Sequence, residues 1–254
     1  MKRSLWILTL AACALFGTAS AQDPLKVAPQ AYKLEFENEW VMVTRVHYGP
    51  REKIPEHYHT ERSSAYVYLN DGGPIIFKHI NLSYADITRK ETKAGSFRVY
   101  KGLKEVHAVE NPTDIPSDFL RVEFKTEPVN DKSLHGKFYR ESYPPGENFR
   151  KVQFENEQIR ITRLVIAARG EMDVSANATE PALLVALTPA RLEARGRKTR
   201  TTRVNLEPGK THWLGINRQQ QLKNAGESAV ELLRFEFKTR PVAGQTKTHD
   251  HNHQ

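Results

Sequence analysis

The chain has 254 residues, 39% of them hydrophobic and 27% charged, a globular balance that argues against a disordered chain and allows one large domain or two small ones. The formal charge is +8, or +6 without Lys2 and Arg3, an excess too mild to indicate a nucleic-acid partner. Cys13 is the sole cysteine, so a chain cleaved after it has no disulfide, thiolate metal site or cysteine nucleophile.

Residues 1–21 read as a signal peptide. Lys2 and Arg3 give the positive start, Leu5 to Phe16 form an apolar run broken only by Thr9, and Ala19-Ser20-Ala21 offers a cleavage site before Gln22. The run is too short to cross about 30 Å of hydrocarbon as a helix, so the protein is not expected to be integral to a membrane. Leu10-Ala11-Ala12-Cys13 also resembles a bacterial lipobox, but the apolar run continues through Leu15 and Phe16, which suits cleavage at Ala21 better. The expectation is export to the periplasm or medium, with lipidation at Cys13 as the alternative.

From residue 32 onward the pattern is β. Trp40 to Tyr48 alternates in part, with Val41, Val43 and the stem of Arg45 on one face. Ile54-Pro55-Glu56-His57-Tyr58-His59 follows, and His-x-His on a strand puts both imidazoles on one face. His107, late in the same region, can approach from a facing strand. Ser117 to Thr126 again alternates apolar residues with charge.

The chain then repeats itself. Phe36-Glu37-Asn38-Glu39 recurs as Phe154-Glu155-Asn156-Glu157, and Glu123-Phe124-Lys125-Thr126 recurs as Glu236-Phe237-Lys238-Thr239. The offsets are 118 and 113 residues, so two copies are expected, over 32–129 and 151–242. Residues 130–150, with Tyr143-Pro144-Pro145-Gly146-Glu147, have linker composition, and 243–254 read as a disordered tail carrying His249, His251 and His253. Such a tail is a weak chelator at most. The basic stretch Arg191 to Arg203 lacks interleaved aromatics, so a solvated strand pair is expected and no nucleic acid. No long 3.6-residue period follows the leader. Many short strands per copy indicate an all-β sandwich or jelly roll.

Gly49, His57, His59 and Gly72, then Gly95, Gly102, His107 and Asn111, resemble the two motifs of the cupin superfamily. The resemblance implies two tandem double-stranded β-helix (jelly-roll) barrels, a bicupin, with His57, His59 and His107 as ligands of one divalent transition metal. Imidazoles suit Fe, Mn, Ni, Cu or Zn. The motif's glutamate is missing, since Ser63, Ser64 and Ala65 fall where it should stand. Glu61, Tyr66, Tyr68 and Arg45 are the candidate accessory side chains. With the 118-residue offset His57 maps to Ser175 and His59 to Asn177; aligning Asn111 on Asn224 maps His107 to Gln220. The second barrel is therefore expected to be a degenerate, metal-free site in which those three side chains meet. Two functions are open: a metal-dependent oxygenase or isomerase, dioxygenase-like, acting on a small anionic metabolite, or a non-catalytic envelope module that binds a small ligand or metal.

Overall fold

The computed structural model describes residues 23–80, 86–129, 134–196 and 200–243. The leader, Cys13 and the tail histidines lie outside them. A single helical turn, α1 (Pro24–Val27), capped by Asp23, precedes the strands. The first barrel is built from β1 (Tyr32–Glu37), β2 (Val41–Tyr48), β3 (Lys53–His59), β4 (Ser64–Tyr68), β5 (Ile75–His79), β6 (Ile87–Arg89), β7 (Phe97–Tyr100), β8 (Glu105–Glu110) and β9 (Ser117–Phe124). After β10 (His135–Phe138) the second barrel comprises β11 (Phe149–Glu155), β12 (Ile159–Ile166), β13 (Glu171–Asp173), β14 (Ala182–Ala186), β15 (Ala190–Arg195), β16 (Thr202–Leu206), β17 (Thr211–Leu214), β18 (Gln221–Asn224) and β19 (Val230–Phe237).

Both barrels have the same wiring. The first has sheets in the order β1-β2-β9-β4-β7-β10 and β3-β8-β5-β6; the second has β11-β12-β19-β14-β17 and β13-β18-β15-β16. Apart from β10, each strand of one has its counterpart in the other. A bulge between Leu34 and Phe36 recurs between Val152 and Phe154, so Phe36 and Phe154 hold the same place in the ladder. Asn111 donates to the carbonyls of Tyr48, Gly49 and Ile115, and Asn224 donates to those of Ile166, Ala167 and Ser228. The segment expected as linker is not all loop: β10 pairs with β7 and widens the first barrel's sheet.

Strand alternation decides which core each residue enters. Val41, Val43, Ala65, Val67, Leu120, Val122 and Phe124 leave the first barrel and meet Ile159, Ile161, Leu183, Val185, Leu233, Phe235 and Phe237 of the second, forming one shared core between the barrels. Phe124 and Phe237 meet edge to face at 6.1 Å across this junction. The junction is reciprocal. Arg45 pairs with Asp118 at 2.6 Å and reaches the Pro208 carbonyl of the second barrel, while its counterpart Arg163 pairs with Glu231 and donates to the Gly95 carbonyl of the first at 2.6 Å. The turns they meet contain Gly95 and Gly209, at φ +75° and +87°, a conformation that disfavours any side chain. Arg45 was a candidate accessory to the histidines; it lies instead on the outer face of β2, because it shares a side with Val41 and Val43.

Candidate metal centre

Pro55 explains how β3 aims its histidines. Proline has no N–H for the ladder, and the pairing with β8 slips by one residue between Ile54 and His57. Beyond this bulge His57 stands opposite His107 and His59 opposite Glu105. His57, His59 and His107 point inward and are 0%, 8% and 3% exposed, whereas Glu56 and Tyr58, which alternate with the β3 histidines, are exposed. One nitrogen from each ring lies within 4.8 Å of the other two, a set that can hold a metal ion. A second set within the same spacing, His79, Glu105 and His107, shares His107.

The electrostatics suit ligation. Burial pushes the His57 imidazole down to about 4 and holds those of His59 and His107 well below the usual value, with the Arg121 charge adding to the effect. Neutral rings have the lone pair that a metal needs. His57 Nδ1 sits 2.8 Å from the Pro55 carbonyl, an acceptor, so Nδ1 carries the proton and Nε2 the lone pair. Neither ring nitrogen of His107 has a hydrogen-bond partner among the described residues, though both are buried. Nδ1 has only the Glu105 carboxylate near it, at 3.8 Å, and two buried nitrogens without a hydrogen bond are costly and are what a ligand position would show.

Beside the histidines is a cavity of about 320 Å³, lined by His59, His107, Tyr66, Phe77, Arg89, Arg98, Phe119 and Arg121 among others. Arg89 lies over Phe119 at 5.0 Å and over Tyr68 at 5.3 Å, and donates to Ser117 at 2.7 Å. Its Nε and Nη1, and the Nε of Arg98 and Arg121, are buried without a partner among the described residues. Arg121 pairs with Glu123 at 3.1 Å. β10 adds Lys137 to the cavity wall. A second cavity of about 360 Å³ shares Tyr32, His59 and Arg121 with the first and runs toward α1 and Glu37.

Of the candidate accessory residues, Tyr66 lines the first cavity and Tyr68 is buried beneath Arg89. Glu61 is exposed and lines neither cavity. Tyr32, Tyr48, His79, Arg89, Arg98, Glu105 and Arg121 were not singled out from sequence. The available signal was the polar half of each strand's alternation, which in an ordinary sandwich faces solvent.

The second barrel corrects the repeat alignment. Val174 N–H donates to the Gln220 carbonyl and Ala176 N–H to that of Arg218, so Val174 and Ala176 hold the places of His57 and His59. The 118-residue offset misses this because the Pro55 bulge gives the first copy one extra residue. Val174 and Ala176 face the core, while Ser175 is half-buried with its hydroxyl 3.0 Å from Gln220 N, and Asn177 is exposed and bonds Glu180. Gln220 does hold the His107 place, 2.9 Å from His212. The three residues therefore do not form one buried cluster.

No family model and no curated protein sequence matches this chain. Solved structures do. AerE from Microcystis aeruginosa superposes with TM-score 0.57 at 12% identity, covering 82% of this chain and 97% of that one. Oxalate decarboxylase from Lactobacillus farciminis, in a formate complex, gives 0.55 at 10% identity, over 83% and 81%. A cupin 2 conserved barrel domain protein from Leptotrichia buccalis gives 0.52 at 11% identity, over 82% and 88%. These likenesses, with the duplicated strand order of this chain, show the fold: two tandem cupin-like jelly-roll barrels.

Proposed function

We propose that this protein is an exported bicupin whose first barrel holds one divalent transition metal on His57, His59 and His107 and uses it to transform a small organic anion. The observation that carries the reading is the clustering of three neutral imidazoles, two of which, His59 and His107, open on a cavity where guanidinium N–H groups have no partner among the described residues. Fe, Mn, Ni, Cu and Zn all accept imidazole. Bound there, such an ion would supply Lewis acidity and open positions for substrate or O₂. The protein's own residues do the rest. Arg89 and Arg98 bind and orient the anion, a task for which the planar guanidinium is suited to carboxylates. Phe77, Phe119 and Tyr66 exclude water and hold the guanidinium groups by cation–π contact.

Oxalate decarboxylase, one of the structural neighbours, acts on a small dicarboxylate, and a substrate of that class fits the charge of this cavity. Oxygenase or isomerase chemistry is the reaction class proposed. Export rests on the leader reading of residues 1–21. Among the described residues no helix is long and apolar enough to cross a membrane. A non-catalytic binding module is the second reading, favoured by the 2.9 Å contact of Tyr32 Oη with His57 Nε2, which engages that lone pair.

The test is elemental analysis of the full chain carrying His249→Ala, His251→Ala and His253→Ala, beside the same chain with His57→Ala and His107→Ala added. Stoichiometric metal in the first and none in the second is expected; equal content overturns the metal centre. O₂ uptake with candidate thiols, diketones and carboxylates then separates enzyme from module.

A further inference from the structure

Resting on the metal reading above, we propose that Tyr32 is a fourth protein ligand, its phenolate oxygen binding the ion held by His57, His59 and His107. The tyrosine would thereby supply, from another strand, the oxygen donor that the cupin motif's glutamate provides and this chain lacks.

Three observations carry this. The first is spacing. Tyr32 Oη lies 2.9 Å from His57 Nε2. Two ligands at about 2.1 Å from one ion and at right angles are themselves about 3.0 Å apart. The contact that closes the His57 lone pair in the metal-free arrangement is thus also the separation of two neighbouring ligands. Tyr32 is 3% exposed and its ring also lies 6.2 Å from that of His59, so it is held beside His57 and His59 from β1.

The second is support. Tyr48 Oη lies 2.7 Å from Tyr32 Oη and is itself buried. A hydroxyl in that position can donate to a phenolate and fix it, the role an outer partner plays for a ligating carboxylate. The carboxylates nearby have other attachments. Glu105 accepts from Tyr100 at 2.6 Å and groups with His79 and His107, while Glu123 accepts from Arg121 and from Thr60 at 3.3 Å.

The third is the second barrel. Tyr32 pairs with Val46 as Arg150 pairs with Leu164, and the asparagine contacts match Tyr48 with Ile166. The barrel with Val174, Ala176 and Gln220 in place of the histidines therefore has neither tyrosine. Framework pairs persist in both: Arg121–Glu123 at 3.1 Å has its counterpart in Arg234–Glu236 at 3.2 Å. The tyrosines differ between the barrels together with the ligands and not with the scaffold.

Coordination of the phenol releases its proton to solvent, as ligation does for other protonated donors. The experiment loads the full chain, with His249, His251 and His253 changed to Ala, with Cu(II) alone and with Fe(III) alone. Visible absorption and resonance Raman then look for a phenolate-to-metal charge-transfer band. The band is expected in this parent and in Tyr48→Phe, and is expected to vanish in Tyr32→Phe, which keeps the metal on the three histidines with lowered affinity. Metal bound without a band in the parent, or a band that survives Tyr32→Phe, overturns the proposal and leaves the three-histidine site standing. A parent that binds neither ion overturns both. Isotope labelling of tyrosine in the parent shifts the phenolate Raman modes, a readout that needs no variant to fold.

Discussion

The two barrels share a strand order, a bulge, a carbonyl-clamping asparagine and an arginine–glutamate pair, yet their interiors are opposites. The second is filled with Leu164, Ile166, Val174, Leu184, Leu192, Leu222 and Leu232. The first places His59, His107, Tyr32, Tyr48, Tyr66, Arg89 and Arg98 around cavities, with His57 behind Tyr32. Register matches Tyr66 with Leu184, Arg98 with His212 and Arg89 with Val204. The difference shows what the fold needs and what the site needs. The shared inter-barrel core and the asparagine clamp hold either interior, so the polar set of the first barrel has no structural duty that the second does not meet with aliphatic residues.

The sharpest expected break between the barrels is in metal content. His107→Ala should abolish binding in the chain lacking tail histidines, and Gln220→Ala at the matching place should leave it unchanged; elemental analysis reads both, and a loss in Gln220→Ala would mean that the second barrel takes part.

Grafting is the next test. Val174→His with Ala176→His puts imidazoles into an apolar interior without the surrounding arginines and tyrosines. Each unpaired buried polar side chain costs about 1–3 kcal/mol, and overpacking at Ala176 adds to that. A fall in denaturant midpoint equivalent to about 5 kcal/mol is expected. Little change would show that the second interior is looser than its packing indicates.

The junction offers a paired comparison. Arg163 is fully buried against Glu231, and Arg163→Met should cost about 3 kcal/mol, because the half-exposed Arg140, 2.6 Å from the same carboxylate, compensates it only in part. Its counterpart Arg45 has a side chain 33% exposed, so Arg45→Met should cost about 1 kcal/mol or less in chemical denaturation.

The smallest effect is in pH. In the metal-free protein the native His57 titrates near about 4 and the unfolded residue near about 6.5. As pH falls through that window the unfolded chain binds protons that the native state refuses. Stability present above about 6.5 is therefore lost toward 4, with a slope of at most about 1.4 kcal/mol per pH unit for each such imidazole. His57→Gln should flatten the curve. In the second barrel His212, also held low by burial, is the one comparable group among the described residues.

The sequence carried the duplication outright, because Phe36/Phe154 and Phe124/Phe237 anchor both ends of a repeat. It also carried the three candidate ligands: His57 and His59 because His-x-His on a strand is a statement about faces, and His107 through its motif spacing to Asn111. Two things required tertiary structure. One is the register: Pro55 inserts a bulge, and a single extra residue moves the counterparts of His57 and His59 from Ser175 and Asn177 to Val174 and Ala176. A one-residue slip exchanges the faces of a strand, so no count along the chain finds it. The other is the direction of the core. In β9 the apolar residues Leu120, Val122 and Phe124 pack against the second barrel, while Phe119, Arg121 and Glu123 turn inward to the cavities. Alternation fixes that two faces differ, but which of them is the inside was decided only when the second barrel covered the apolar one, leaving arginine and tyrosine to line the interior of the first.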